Sequence, residues 1–355
     1  MRWNHRQTPL RYSQGYSIIE VMVGLVIGMI GVAIILQTLL FSEQQKAVTS
    51  GAGDTQTNGA LAIYGLQRDI RQAGHGFNAL NALGCSLAIP TGHTLSQLGS
   101  VIINPPTTDV PAGDANTDTL LISYGDGNGP TEGDLILAVN DNNVAVSSVA
   151  NYAVAENVFA APLVGSTNCA LTLTTVSAIS APNVTLTSAT GAIDGGSLFN
   201  LGTAPKIYAY AIRNGNLTLC NFMESDCSSA CETGNRNCNN NWVAVSSNII
   251  SLRAQYGRDT TEPGDGAIDT WDQTIPSSTT AFNRACEWTR IPAVRLVIVA
   301  RSPNQDASAA TAATAPTWDG NADAPITLPV GWQNFRHRAF ETIIPLRNMP
   351  WMQNC

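Results

Sequence analysis

The chain has 355 residues, of which 44% are hydrophobic and 12% are charged, and its formal net charge is −8. This length and apolar content are enough for one large folded domain or two ordinary ones. The acidic balance argues against nucleic acid or anionic lipid headgroups as partners, because both repel a negative surface, and the sequence contains no run of Lys or Arg that would form a basic patch.

The N-terminus combines a basic leader with an apolar stretch. Residues 1–15 contain three arginines and no acid, which favours retention of this end in the cytoplasm. The next stretch, residues 16–41, has Glu20 as its only charge. Since about 20 apolar residues let a helix span a bilayer, we predict one membrane span with the rest of the chain exported.

Gly15 precedes this apolar stretch, whereas the cleavage site of a secretory signal peptide follows it. The segment "GYSIIE", which starts at Gly15, resembles the prepilin signature. The resemblance implies that a prepilin peptidase cleaves between Gly15 and Tyr16, that Tyr16 is then N-methylated, and that Glu20 serves filament assembly. Tyr16 stands where the family usually has Phe. The alternative is an uncleaved signal anchor with an incidental glutamate.

An ionisable group at membrane depth is costly unless it is paired. Cleavage would create an ammonium group at Tyr16, and we predict that Glu20 neutralises the Tyr16 ammonium of a neighbouring subunit. Loss of the three leader arginines would change the formal net charge from −8 to −11.

A helix is predicted over residues 16–76. Beyond the membrane span, small and apolar residues recur every three or four positions, at Val48, Ala52, Thr55, Gly59, Ala62 or Ile63, Leu66, Ile70 and Ala73. This spacing predicts a far half that packs on a globular domain. Residues 74–76 supply the stop, and the glycines at 51 and 53 predict local melting.

The segment "LQRDIRQAGHGF", residues 66–77, resembles the "L..DIR.AG" end of the first helix in PilW-type minor pilins and in J-type minor pseudopilins of type II secretion. Leu66, Asp69, Ile70 and Gly74 are among the matching positions. The resemblance implies an α+β, pilin-like fold, in which the long N-terminal helix packs on a C-terminal antiparallel β-sheet head with disulfides.

Residues 77–355 are predicted to form one β-rich head. β-branched runs bounded by turn residues predict strands at 119–125, 134–139, 170–176, 183–188, 242–257, 293–302 and 339–348. Asn214-Gly215 predicts a type I′ hairpin turn. The last three strands resemble the final strands of PilW-like proteins, whereas residues 80–200 show no such resemblance.

Eight cysteines in an exported chain indicate disulfides rather than zinc. Cys220, Cys227, Cys231 and Cys238 lack the close pairs of a zinc site, and nested and sequential pairings both remain open. By resemblance, Cys286 pairs with Cys355 as the C-terminal disulfide of many pilins. Cys85 with Cys169 is the remaining pair.

An acidic loop is a weak calcium candidate. Asp259, Glu262, Asp265 and Asp269 surround glycines, and PilW-like chains often have a "GDG..D" loop here, but the EF-hand spacing is absent. A solvated acidic turn is the favoured interpretation, and no other cofactor is predicted.

No catalytic motif is present. His75, His93 and His337 lie near no Ser or Cys nucleophile motif, and there is no P-loop, HExxH or GxSxG. We therefore expect a protein that is not an enzyme.

The resemblance implies a structural minor pilin that helps to prime type IV pilus assembly and enters the fibre near its tip. Its expected partners are other minor pilins, the major pilin and a tip adhesin, and its expected roles are adhesion, twitching motility or DNA uptake. Before assembly it would lie in the bacterial inner membrane with its head in the periplasm. A J-like pseudopilin is one alternative. A membrane-anchored periplasmic enzyme or calcium-dependent sugar-binding protein is the other.

Overall fold

The computed structural model describes residues 15–167, 169–229, 241–306, 314–350, 352 and 355. The helices are α1 (Ile18–Gln72) and α2 (Ala281–Thr289). The strands are β1 (Ser86–Ala88), β2 (Thr94–Leu95), β3 (Val101–Ile103), β4 (Leu120–Tyr124), β5 (Asp134–Asn140), β6 (Asn143–Val146), β7 (Asn157–Ala161), β8 (Ala170–Thr172), β9 (Thr174–Ser180), β10 (Asn183–Leu186), β11 (Ser197–Gly202), β12 (Lys206–Arg213), β13 (Asn216–Asn221), β14 (Val243–Ser246), β15 (Ile249–Arg258), β16 (Thr270–Asp272), β17 (Ala293–Gln305) and β18 (Phe335–Pro345). The predicted α+β class, with a long apolar helix and a β-rich head, is confirmed.

The first part of α1 belongs to a compact unit that ends at Ser50. Among the described residues, α1 is the one helix long and apolar enough to cross a bilayer. Eighteen large apolar side chains between Tyr16 and Phe41 are each more than half exposed. Such exposure is unfavourable in water, so this surface requires lipid or other helices around it.

The second unit, Gly51–Cys355, contains the rest of α1 and the head. Here α1 buries one face, formed by Gly51, Thr55, Gly59, Ala62, Leu66, Asp69 and Ile70. The predicted stripe is therefore correct in period, but it passes through Gly51 rather than Ala52. The prediction of melting at residues 51–53 is wrong, because the helix is continuous there and Gly51 lies against Ser302.

Two glycines of α1 permit close packing, and two do not contribute to it. A Cβ atom at Gly59 would overlap the Phe340 ring, and one at Gly51 would lie 2.5 Å from Ser302 Oγ. At Gly53 and Gly65 a Cβ atom would meet nothing within 4 Å. The buried glycines therefore let the helix approach the strands closely enough for side chains to fill the interface.

The end of α1 is capped by the last strand region. Asn348 Nδ2 donates to the carbonyls of Arg71, Gln72 and Ala73 at 3.1–3.3 Å, which satisfies groups that have no partner within the helix. Gly74 follows with φ +83°, as expected for a glycine that terminates a helix.

Two antiparallel sheets form the main core of the head. One has the strand order β14-β13-β12-β4-β3, and the other has the order β16-β15-β17-β18. The β12–β13 hairpin turns at Asn214 and Gly215, whose φ angles of +52° and +69° are those of the predicted type I′ turn. The predicted strand at 242–257 divides into β14 and β15, since Asn248 adopts a positive φ between them.

Six strands between Asp134 and Gly202 close into a separate barrel, in the order β10-β6-β5-β11-β7-β9. The barrel has its own core, which includes Val144, Val158, Val184 and Leu198. The sequence indicated strands here but not their closure. The predicted strand at 170–176 is also two strands, of which β8 pairs with β1 outside the barrel.

Three disulfides link the described cysteines. They join Cys85 to Cys169, Cys220 to Cys227, and Cys286 to Cys355. The Cys220–Cys227 bond excludes the nested alternative for Cys220. Cys231 and Cys238 lie outside the described residues.

Candidate functional site

The segment predicted to carry assembly lies at the start of α1. Gly15 and Tyr16 precede the helix, and Glu20 lies in its first turn, where a carboxylate interacts favourably with the helix dipole. Ser17 Oγ accepts a hydrogen bond from the Ile19 amide at 3.4 Å, which supports the helix start.

Glu20 is exposed, and no ion pair found among the described residues includes it. Tyr16 is 82% exposed. The surface around both residues is apolar, so the carboxylate has no polar neighbour on its own helix beyond the first turn. This arrangement is suited to a partner that supplies a positive charge from another molecule.

A second carboxylate on α1 has the opposite environment. Asp69 is fully buried and accepts hydrogen bonds from Tyr124 Oη at 3.1 Å and from Tyr210 Oη at 2.5 Å. Arg68, whose side chain is 60% exposed, lies 3.0 Å from Asp69 Oδ1. The carboxylate therefore joins α1 to β4 and β12 through two phenol hydroxyls. Its counter-ion, Arg68, approaches it from the solvent side.

The titration of the groups around Asp69 agrees with this role. Burial raises the pKa of Tyr210 and of Tyr124, and the nearby Asp69 charge raises it further. The hydrogen bond and the charge of Asp69 also raise the pKa of Arg68. Both phenols therefore stay protonated as donors, which makes this a structural anchor rather than an acid–base pair.

From the sequence, Asp69 is recognised only as one position of the "L..DIR.AG" motif. Its position could have revealed more, because a charged residue stands between Leu66 and Ile70 on the buried face. A buried carboxylate is normally paired, so the pattern predicts partners on the surface that covers this face.

Three carboxylates of the predicted calcium loop accept hydrogen bonds from the loop itself, and the fourth pairs with an arginine outside it. Asp259 accepts from the amides of Thr261 and Gly266, and Asp265 accepts from that of Ala267. The remaining two carboxylates are Asp269, which accepts from residues 260 and 261, and Glu262, which lies 2.7 Å from Arg290. Among the described residues, no group of three or more His, Cys, Asp or Glu side chains could hold a metal ion.

These contacts also affect titration. The hydrogen bond from Arg290 lowers the pKa of Glu262, and hydrogen bonds from Thr260 and Thr261 lower that of Asp269. Both groups are therefore stabilised as anions by the protein itself.

The three histidines in the described part of the chain do not form a nucleophilic site. His93 Nε2 lies 3.3 Å from Asp109 Oδ1, but Ser96 Oγ donates to the same oxygen at 3.1 Å instead of lying against the imidazole. A hydrolase needs the histidine between the serine and the acid. His75 contacts the Gly125 carbonyl, and His337 is half-buried with a pKa lowered to about 4 by burial and by Arg301.

Two family models match the chain. The model for Type IV Pilus-assembly protein W, PilW, matches residues 210–348, and the model for the prokaryotic N-terminal methylation motif matches residues 10–36. No curated protein matches the chain, and neither does any solved structure. The first match extends from β12 to Asn348, and the second contains Gly15, Tyr16 and Glu20. Both matched ranges leave out the barrel.

Proposed function

We propose, from the premise that this chain is a type IV pilin of the PilW family, that it is a minor pilin which helps to prime pilus assembly and then enters the fibre near its tip. The observation that carries the proposal is the combination of a methylation motif with an apolar helix whose side chains are exposed from Tyr16 to Phe41. A head of the PilW type follows on the same chain.

Processing is the first step of this proposal. A prepilin peptidase cleaves after Gly15, and Tyr16 becomes a methylated N-terminus. The helix then holds the protein in the inner membrane with its head in the periplasm. Each step leaves the apolar surface intact, as lateral packing of helices in a filament requires.

Assembly uses the pair of charges that processing creates. The ammonium group at Tyr16 of one subunit neutralises Glu20 of its neighbour, so the cost of placing either charge in an apolar setting is offset only at the correct register. The partners in this step are the major pilin and other minor pilins, and a tip adhesin binds beyond them. Adhesion, twitching motility or DNA uptake then follow from the pilus.

The family match supports a pilus over the J-like pseudopilus of type II secretion, because the matched family is a pilus-assembly family. A membrane-anchored enzyme or sugar-binding protein is not favoured by any observation among the described residues.

The test is replacement of Glu20 by Ala in the full-length chain, with sheared surface pili as the measurement. We expect loss of pili. The matched control is Glu43→Ala, which removes another exposed carboxylate of α1. Within the described part of the chain, Glu43 forms a salt bridge with the exposed Lys46 alone. Normal piliation in the Glu20 variant would contradict the proposal.

N-terminal sequencing of the mature protein tests the processing step. We expect a methylated chain that begins at Tyr16. A chain that begins upstream of this residue would remove the basis for the charge pair.

A further inference from the structure

An apolar groove lies on the head where three segments of the chain meet. Its walls are the loop after α1, with Leu80, the barrel, with Leu135 and Val164, and the C-terminal tail, with Pro350 and Met352. The groove encloses about 390 Å³. This volume is within the range of ligand pockets and is large enough for one or two apolar side chains.

The groove continues into an exposed apolar surface of the barrel. Leu135, Leu137, Leu163 and Val164 are each about half exposed. Leu135 and Leu163 are close to each other because β11 lies between their strands. Ser197 of β11 pairs with Leu135 on one side and with β7 on the other, and β7 leads to Leu163. A continuous exposed apolar surface on an exported head is typical of a protein-interaction site.

Two of the walls are held together without a ligand. Asn81 Nδ2 donates to the Pro162 carbonyl at 2.9 Å and to Ser197 Oγ at 3.3 Å, which ties the loop after α1 to the barrel. This part of the groove is therefore preformed, which lowers the entropic cost of binding.

The charge around the groove selects the partner further. Residues 72–205 contain nine Asp or Glu side chains and no Lys or Arg. Glu132 is exposed and lines the groove. Asp194, in the turn just before Ser197, is also exposed. The carboxylate of Glu132 at the edge of the groove repels acidic segments and favours a basic one.

We propose that this groove receives another pilin subunit of the same pilus, through a segment in which an apolar side chain is flanked by Lys or Arg. The inference rests on the proposed function, because it names the binding surface for one of its partners. The apolar side chain occupies the space between Leu135 and Met352, and the basic residue faces Glu132. Since one wall belongs to the barrel, outside the PilW match, this chain's own insertion determines which subunit fits.

The experiment uses the full-length protein in the cells that assemble the pilus, with a photo-crosslinking residue in place of Val164. We expect an adduct with another pilin subunit, in which the crosslinked peptide contains an apolar residue next to Lys or Arg. The matched control is the same substitution at Val330, which is fully exposed and does not line the groove. Its adduct should be about tenfold weaker.

Second substitutions test the chemistry of the groove. Leu135→Arg and Glu132→Lys should each lower the Val164 adduct by about tenfold, since one fills the groove and both place a positive charge at its rim. Both residues are exposed, so a thermal unfolding curve that matches the parent protein verifies that the head is folded. Val330→Arg should leave the adduct unchanged.

The proposal is overturned by the absence of an adduct, by adducts only with lipid or with a second copy of this chain, or by an adduct that Leu135→Arg does not weaken. These outcomes are separable from failure of the proposed function. Loss of pili in Glu20→Ala without a Val164 adduct contradicts the groove alone, whereas normal pili in Glu20→Ala contradict the minor-pilin role.

Discussion

The two halves of α1 place a carboxylate in opposite ways. Glu20 is exposed on an apolar surface and has no partner within the described part of the chain, whereas Asp69 is fully buried and is bonded to two phenols and an arginine. In the proposed function the first half presents its charge to another subunit, whereas the second half uses its charge inside the head. Removing each carboxylate should therefore affect a different property.

The largest effect on stability is expected from Asp69→Ala. Loss of the carboxylate leaves the Tyr124 and Tyr210 hydroxyls buried without an acceptor, and we expect the free energy of unfolding to fall by about 3 kcal/mol. Urea denaturation of the full chain in detergent measures this. Asp54→Ala, at an exposed position of the same helix, should change it by less than about 0.5 kcal/mol. Equal effects of the two substitutions would show that Asp69 is not an anchor.

The glycines of α1 sharpen the comparison within its second half. Gly59→Ala forces a methyl group into the Phe340 ring and should destabilise the head by about 1–3 kcal/mol. Gly65→Ala meets open space and should stabilise the helix by up to about 1 kcal/mol. Opposite shifts of the thermal midpoint are the expected result. Shifts of the same sign would contradict the close approach at Gly59.

The pH dependence of the head provides a third test. The pKa of His337 is lowered to about 4, mainly by burial, so the folded state binds fewer protons than the unfolded state, where the pKa is 6.5. The contribution of His337 to the free energy of unfolding is fully present above about pH 6.5 and is lost as the pH falls toward 4. Since the side chain is only half-buried, we expect a loss of about 1–2 kcal/mol.

Measurement of the unfolding free energy at pH 7 and pH 4.5 checks this dependence, with His337→Gln as the comparison. The variant should lose less stability over this window. The carboxylates with lowered pKa values, such as Glu262 and Asp269, titrate mainly below it. An unchanged pH dependence in the variant would exclude His337 as the source.

The smallest effect is expected from calcium. Because the carboxylates of Asp259 and Asp269 already accept hydrogen bonds from the loop, we expect millimolar Ca²⁺ to shift the thermal midpoint by no more than Mg²⁺ does. A shift specific to Ca²⁺ that is absent from Asp269→Asn would instead establish a calcium site.

The Glu20 variant completes the comparison between the two halves. Glu20→Ala should leave the unfolding free energy of the head unchanged while piliation is lost, because Glu20 belongs to the compact unit that ends at Ser50 and the head belongs to the other. A substantial loss of stability would show that the carboxylate acts within the chain.

Several features of the protein are determined by sequence alone, because their signals are local. The leader, the apolar stretch, the "GYSIIE" segment and the Asn214-Gly215 turn each depend on residues that are close along the chain. The period of the buried face of α1 is likewise a property of the helix itself. These signals were sufficient to identify the α+β class and the pilin-like N-terminus.

Only the tertiary structure decided which residues these elements meet. Asp69 and Tyr210 are separated by 141 positions, and nothing in either neighbourhood indicates their contact. The closure of the barrel, the pairing of Cys220 with Cys227 and the groove beside Leu135 arise in the same way. They depend on which distant side chains fill a shared space, and burial and hydrogen bonding select that arrangement only when the whole head is folded.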